Sequence, residues 1–143
     1  MKTLVAKQLR GNERKWFVVD ATGKNLRRLA TQAARILTGR DSVDFTPQIH
    51  NGANLIIINA EKIAVTGTKE SVKMYRSHSQ YMGGLKETVL GKMRDKNPTH
   101  ILRHAIEGML PKNRLRNGMS LRLKLVVGSD HEFAAQKPES IIL

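Results

Sequence analysis

The apolar positions of this chain fall into stretches with different periods, and each period predicts an element. Trp16-Phe17-Val18-Val19 is a short continuous run closed by Asp20, the pattern of a buried strand. After the turn Ala21-Thr22-Gly23-Lys24-Asn25, the residues Leu26, Leu29, Ala30, Ala33, Ile36 and Leu37 recur at helical spacing. Arg27, Arg28, Thr31 and Arg35 take the other side of that helix. Thr22 or Asn25 suits its N-cap, and Gly39 suits its end. Residues 40–53, with Pro47 and Gly52, read as a loop. Asn54-Leu55-Ile56-Ile57-Ile58-Asn59 is continuously apolar at its centre, as expected of a strand covered on both faces. Strand, helix, strand in this order predicts a right-handed crossover.

The second half is less regular. Val65-Thr66-Gly67 follows a short turn, a weak strand covers 73–77, and Gly83-Gly84 marks a loop. Val89, Leu90 and Met93 predict a helix over 86–96, and Asn97-Pro98 a cap with a first-turn proline. Ile101, Leu102, Ala105, Ile106, Met109 and Leu110 form the clearest helical stripe, which Pro111 stops. Residues 112–120 read as a basic loop or short helix. Leu121, Leu123, Leu125 and Val127 then alternate with Arg122, Lys124 and Val126, the pattern of a half-buried strand. The domain division is a basic N-terminal arm at 1–15, one α/β domain at 16–127 and a tail at 128–143. The fold class is α/β: a small, mainly parallel sheet with helices on both faces and basic loops and extended termini outside it.

Charge changes the picture more than composition does. The chain has 143 residues, 40% of them hydrophobic, enough for one core. It carries 25 Lys+Arg against 12 Asp+Glu, a formal net charge of +13, and so attracts polyanions. Nucleic acid is the first such partner and an anionic membrane the second. Cys is absent, which excludes disulfides, thiol nucleophiles and Cys-based zinc sites. The N-terminus has no secretory pattern, and the run Leu55–Ile58 is far too short to span a bilayer. A soluble, cytoplasmic protein without a membrane partner is expected. The aromatic residues Trp16, Phe17, Phe45, Tyr75, Tyr81 and Phe133 are scattered and form no evident base-stacking platform. Recognition is therefore expected to run through phosphates and shape.

Candidate chemistry is sparse. Gly23-Lys24 lies between a strand and a helix, as a phosphate loop does, but the loop needs a glycine at position 18, which is Val18, and Ser or Thr where Asn25 stands. A helix N-terminus beside Lys24 remains suited to an anion, and an RNA phosphate would serve. His100 and His104 share a helix face, yet no third ligand stands near them in sequence, so no metal is expected. Asp20 ends a strand, where its expected role is to accept N–H bonds in the following turn. No catalytic residues, cofactor or small-molecule substrate are expected.

The basic stretches carry more information. Lys112, Arg114, Arg116, Arg122 and Lys124 occur within 112–124 without an acidic residue, interleaved with leucines that would fix them on a folded surface. Arg27, Arg28, Arg35 and Arg40 form a second cluster, beside Lys24, and Lys86, Lys92, Arg94 and Lys96 a third. Such dispersal suggests a protein embraced by nucleic acid on several sides.

An ordered series of motifs adds a resemblance. It comprises Asp20-Ala21-Thr22-Gly23-Lys24, Arg28-Leu29-Ala30-Thr31, Phe45-Thr46-Pro47 and Ile58-Asn59-Ala60-Glu61-Lys62. Val65-Thr66-Gly67, Gly83-Gly84, Gly108-Met109-Leu110-Pro111-Lys112, Leu123-Lys124, Ala135-Gln136 and Pro138 follow. In this order, from Trp16 to Pro138, the chain resembles the bacterial family of large-subunit ribosomal protein thirteen. The resemblance implies a three-layer α/β/α fold with a four-stranded parallel sheet. It also implies binding to large-subunit ribosomal RNA among neighbouring ribosomal proteins, a role early in subunit assembly, and no enzymatic activity. The chain departs from the family pattern at Arg27, where Gly is usual, and at Arg114-Leu115-Arg116-Asn117, where Pro-Leu-Gly-Arg is usual. Gln48 and His50 replace His and Asp, and Ser79-Gln80 replaces Thr-Gly. The expected RNA-binding residues are Lys24, Arg27, Arg28, Arg35, Arg40, Lys112, Arg114, Arg116, Arg122 and Lys124. An enzyme handling a phosphorylated ligand at Gly23-Lys24, and a nucleic-acid regulator acting outside the ribosome, are the alternatives.

Overall fold

The computed structural model describes residues 6–9 and 11–143, so residues 1–5 and 10 of the expected arm lie outside the described residues. Strand β1 spans Trp16–Asp20 and helix α1 spans Leu26–Thr38, both where the apolar pattern places them. Asn25 is the cap of α1: its side-chain oxygen accepts from the Arg27 N–H at 3.1 Å. Gly39 ends the helix in a left-handed conformation, φ 79°, and donates back to Arg35 and Ile36. The following loop returns so closely over this end that a Cβ on Gly52 would lie 1.8 Å from the Leu37 carbonyl oxygen.

Strand β2, Asn54–Ile58, pairs parallel with β1, Trp16 opposite Asn54 through Asp20 opposite Ile58. Strand β5, Leu123–Leu125, pairs parallel with β2, and strand β6, Glu139–Ser140, pairs parallel with β1. The sheet order is β5-β2-β1-β6. The four-stranded parallel sheet of an α/β fold is thus formed. Alternation puts Phe17, Val19, Leu55, Ile57, Leu123 and Leu125 on one face, against Leu29, Ala33 and Leu37 of α1 and Leu102 and Ile106 of helix α4, Pro98–Met109. Buried side chains of this size contribute roughly 1.5–3 kcal/mol each. The other face carries Trp16, Val18, Ile56 and Lys124. Phe133, from the chain after β5, covers part of it by stacking on Trp16 with ring centres 5.7 Å apart.

The residues read as a C-terminal tail therefore return to the sheet. β6 is their edge strand, Ile141 donates to the Val18 carbonyl at 3.0 Å, and Ile141 and Leu143 pack on the core. A two-residue polar strand has no hydrophobic period to detect, because an edge position is held by backbone bonds.

The helix expected over 86–96 is corrected. Leu85–Val89 is strand β4, antiparallel to strand β3, Met74–His78, and only Leu90–Lys96 is helical, as α3. β-Branched Thr88 and Val89 favour the pleated partner across the ribbon. A short helix α2, Lys69–Val72, precedes β3. Tyr75, Leu90 and Ile101 form a second small core with Leu26, Val65 and Met93 against it. Pro98 opens α4 as expected, although the Asn97 side chain makes no capping bond. Helix α5, Arg116–Ser120, occupies the stretch expected as loop or short helix. Strand β5 is shorter than the alternation over 121–127, leaving Leu121 and Val127 exposed. Among the described residues, no helix is long and apolar enough to cross a membrane.

Candidate nucleic-acid interface

The turn between β1 and α1 is held by its own groups. Asp20 accepts from the Thr22 N–H at 3.0 Å, the Thr22 hydroxyl at 2.7 Å and the Asn59 amide at 2.9 Å. These bonds, led by the Thr22 N–H and helped by the nearby Lys24 charge, lower its pKa to about 2. Such a carboxylate is a poor general base near neutral pH. Its role is the local one expected from sequence. Gly23 donates to Lys62, Leu26 donates to Ala64, and Ala64 donates to Lys24, so the turn is sewn to the chain after β2.

This fixed turn starts a basic surface. An open groove of about 830 Å³ is lined by Gly23, Lys24, Asn25, Arg27, Arg28, Thr31 and Gln32, with Leu143 at its side. At Thr31 it meets a second groove, about 350 Å³, lined by Arg35, Thr38, Arg40, Met109 and Pro111. Lys112 follows Pro111 directly, and Lys112 and Arg114 are exposed. One surface therefore joins Lys24, Arg27, Arg28, Arg35 and Arg40, and the 112–124 stretch begins at its edge. Arg27 and Arg28 are exposed and have no ion pair among the described residues. Arg35 meets Asp41 at 3.0 Å, and the Arg40 guanidinium lies 5.9 Å from the Phe45 ring centre. Arg27, where the family pattern has Gly, lies in a regular helix with its side chain outward and adds a cation to this groove.

The remaining cations of 112–124 do not join them. Arg116 donates to the Glu107 carbonyl at 2.9 Å, satisfying an end of α4. Arg122 is only 7% exposed. Its Nη1 donates to the Gly52 carbonyl at 2.6 Å, and its Nη2 lies against the His50 ring, 2.7 Å from Nε2 and in shorter contact with Nδ1. The His50 ring fits because α5 offers Gly118, where a Cβ would come within 2.5 Å of Nε2. Arg122 thus ties the 50–52 loop to the start of β5, and its guanidinium is turned inward, away from the basic surface of α1. Burial follows from a loop about seventy positions away in sequence, which residue type and local alternation do not reveal. Lys124 sits on the other face of the sheet, 6.0 Å from the Phe133 ring centre.

In the third cluster Lys86, Lys92 and Lys96 are exposed. Arg94 instead pairs with Glu70 of α2 at 3.2 Å and reaches the Glu61 carbonyl at 3.4 Å. His100 and His104 both meet Tyr75 edge-on, with ring centres 5.8 and 5.3 Å away. Burial raises the Tyr75 pKa.

Comparison with known proteins agrees with the motif order. The family model described as ribosomal protein L13 matches residues 14–132. The chain is 47% identical over 139 residues to large ribosomal subunit protein uL13 of Clostridioides difficile (strain 630), covering 97% of this chain and 96% of the relative. It is 47% identical over 141 residues to the protein of that name from Geobacter sp. (strain M21), covering 99% of each. The Listeria innocua protein of that name is 52% identical over 127 residues, covering 89% of this chain and 88% of the relative. The chain belongs to the ribosomal protein L13 family.

Proposed function

We propose that this chain is a structural constituent of the large ribosomal subunit that binds ribosomal RNA, in the cytoplasm, beside neighbouring ribosomal proteins. Its family is one of ribosomal proteins and not of enzymes. The observation that carries the RNA reading is the basic surface from Lys24 along α1 to Arg40, with the exposed Lys112 and Arg114 following its edge at Pro111 in sequence. Its arginines stand on a capped helix, so their stems are positioned before RNA arrives and less freedom is lost on binding. Lys24, Arg27, Arg28, Arg35, Arg40, Lys112 and Arg114 form the proposed contact set. Lys124 would contact RNA from the opposite face, and Arg116 with whatever donors Glu107 leaves free. A protein that meets phosphates on two faces can hold RNA segments together while the subunit is still forming, which supports a role early in assembly.

The test is sedimentation of a tagged copy. It should co-migrate with large subunits through moderate salt, and its depletion should accumulate precursor particles. With about six phosphate contacts, the slope of log K against log[salt] for large-subunit RNA should be roughly −4 to −5. A wholly free pool, or a binding constant indifferent to salt, would overturn the reading.

A further inference from the structure

The β3–β4 ribbon projects from the fold with little of its own to bury. Tyr75 is the one buried residue of its two strands. A two-stranded ribbon is marginal in water unless something packs on it. Its distal end is nevertheless well defined. The Gly84 N–H donates to the Tyr81 carbonyl at 2.9 Å, and the Ser79 N–H donates to Gly84 at 3.2 Å. The Gln80 N–H donates to the His78 ring at 2.9 Å. Gly83 has φ 70°, the left-handed geometry that a type II turn requires at its third residue. A Cβ on Gly84 would lie 2.8 Å from the Tyr81 carbonyl oxygen, so the turn closes most easily around glycine. This built turn displays Tyr81 at 80% exposure and Met82 at 100%.

Charge says what such a tip would meet. From Lys73 to Lys86 the chain carries Lys73, Arg76 and Lys86 and no acidic residue. Glu87 engages Arg76 at 2.6 Å, which leaves Lys86 as the exposed cation nearest the tip. With Glu87 engaged by Arg76, Lys86 gives the ribbon a net positive charge beside its tip, and a base needs both a ring to stack on and a cation for its phosphate.

We infer that the tip of the β3–β4 hairpin is an RNA contact, in which the Tyr81 ring stacks on an unpaired base beside Met82 while Lys86 meets the neighbouring phosphate. The inference rests on the RNA-binding role proposed above and adds to it a contact to a base. It also revises the expectation that recognition runs through phosphates and shape alone. The turn is preformed, so stacking costs little ordering of the loop. A stacked base tolerates sequence change but not loss of the ring.

The test measures binding of the full chain to a large-subunit ribosomal RNA transcript across a salt series. Tyr81→Ala should weaken binding about tenfold without changing the salt slope, because no cation is lost. Tyr81→Phe should stay within about twofold of the wild type, since the ring remains. Irradiation of assembled large subunits should cross-link Tyr81 to a nucleotide. Equal affinity of Tyr81→Ala and wild type overturns the inference, and so does a cross-link to a neighbouring protein alone. If the wild type binds with a steep salt slope and Tyr81→Ala matches it, only the hairpin contact fails. If the wild type shows no salt-dependent binding, the RNA-binding role fails with it.

Discussion

The outer face of α1 and the stretch 112–124 look alike in sequence, and the structure uses their cations differently. Both are rich in arginine, and both interleave it with apolar residues. On α1 the helical period sends the apolar residues into the core and Arg27, Arg28 and Arg35 to solvent. In 112–124 a loop, a short helix and a strand follow one another, so no single period governs the side chains. Lys112 and Arg114 stay exposed, Arg116 caps a carbonyl, Arg122 is buried and Lys124 crosses to the other face. A cation is available to RNA only if the fold has not already used it.

The widest separation between the two regions should come from Arg122→Ala. That variant leaves the Gly52 carbonyl unpaired and the His50 ring against a void. Loss of about 2–4 kcal/mol in denaturant unfolding is expected, from bonds to a charged donor and the unsatisfied acceptor they leave. RNA affinity of the folded fraction should change by less than about threefold, as no phosphate contact is lost. A stable Arg122→Ala protein with strongly weakened RNA binding would reverse the assignment.

A smaller effect should sharpen the view of the α1 region, through its entry turn. The Asp20 pKa is lowered in the folded state from 3.8 to about 2. Its bonds to Thr22 and Asn59 therefore add stability that is fully present above the unfolded value and lost as pH falls towards 2. Asp20→Asn should lower Tm at neutral pH, and the gap to the wild type should narrow between about pH 5 and pH 2. A gap independent of pH would show that the carboxylate charge is not what holds the turn.

Legibility in the sequence followed the same division. β1, α1, β2 and α4 were readable because each has one unbroken period and a plain end, such as Asn25, Gly39 or Pro111. β4 was hidden, since Val89, Leu90 and Met93 fit a helix as well as they fit a strand running into one. β6 was hidden because Glu139-Ser140 pairs through its backbone alone. Among the candidate site residues, the outward placement of those on α1 was readable from helical spacing. The burial of Arg122 depends on His50, Gly52 and Gly118 meeting in space, and residue type says nothing of that.

The central claim is that α1 presents the RNA-binding surface. It is tested most directly by the affinity of the triple variant Arg27→Glu, Arg28→Glu, Arg35→Glu for large-subunit ribosomal RNA across a salt series, with unfolding followed in parallel. The account predicts at least a roughly hundredfold loss at about 0.1 M salt and a salt slope shallower by about three, with stability within about 1 kcal/mol of the wild type. A folded triple variant that binds as tightly and with the same slope as the wild type would contradict it.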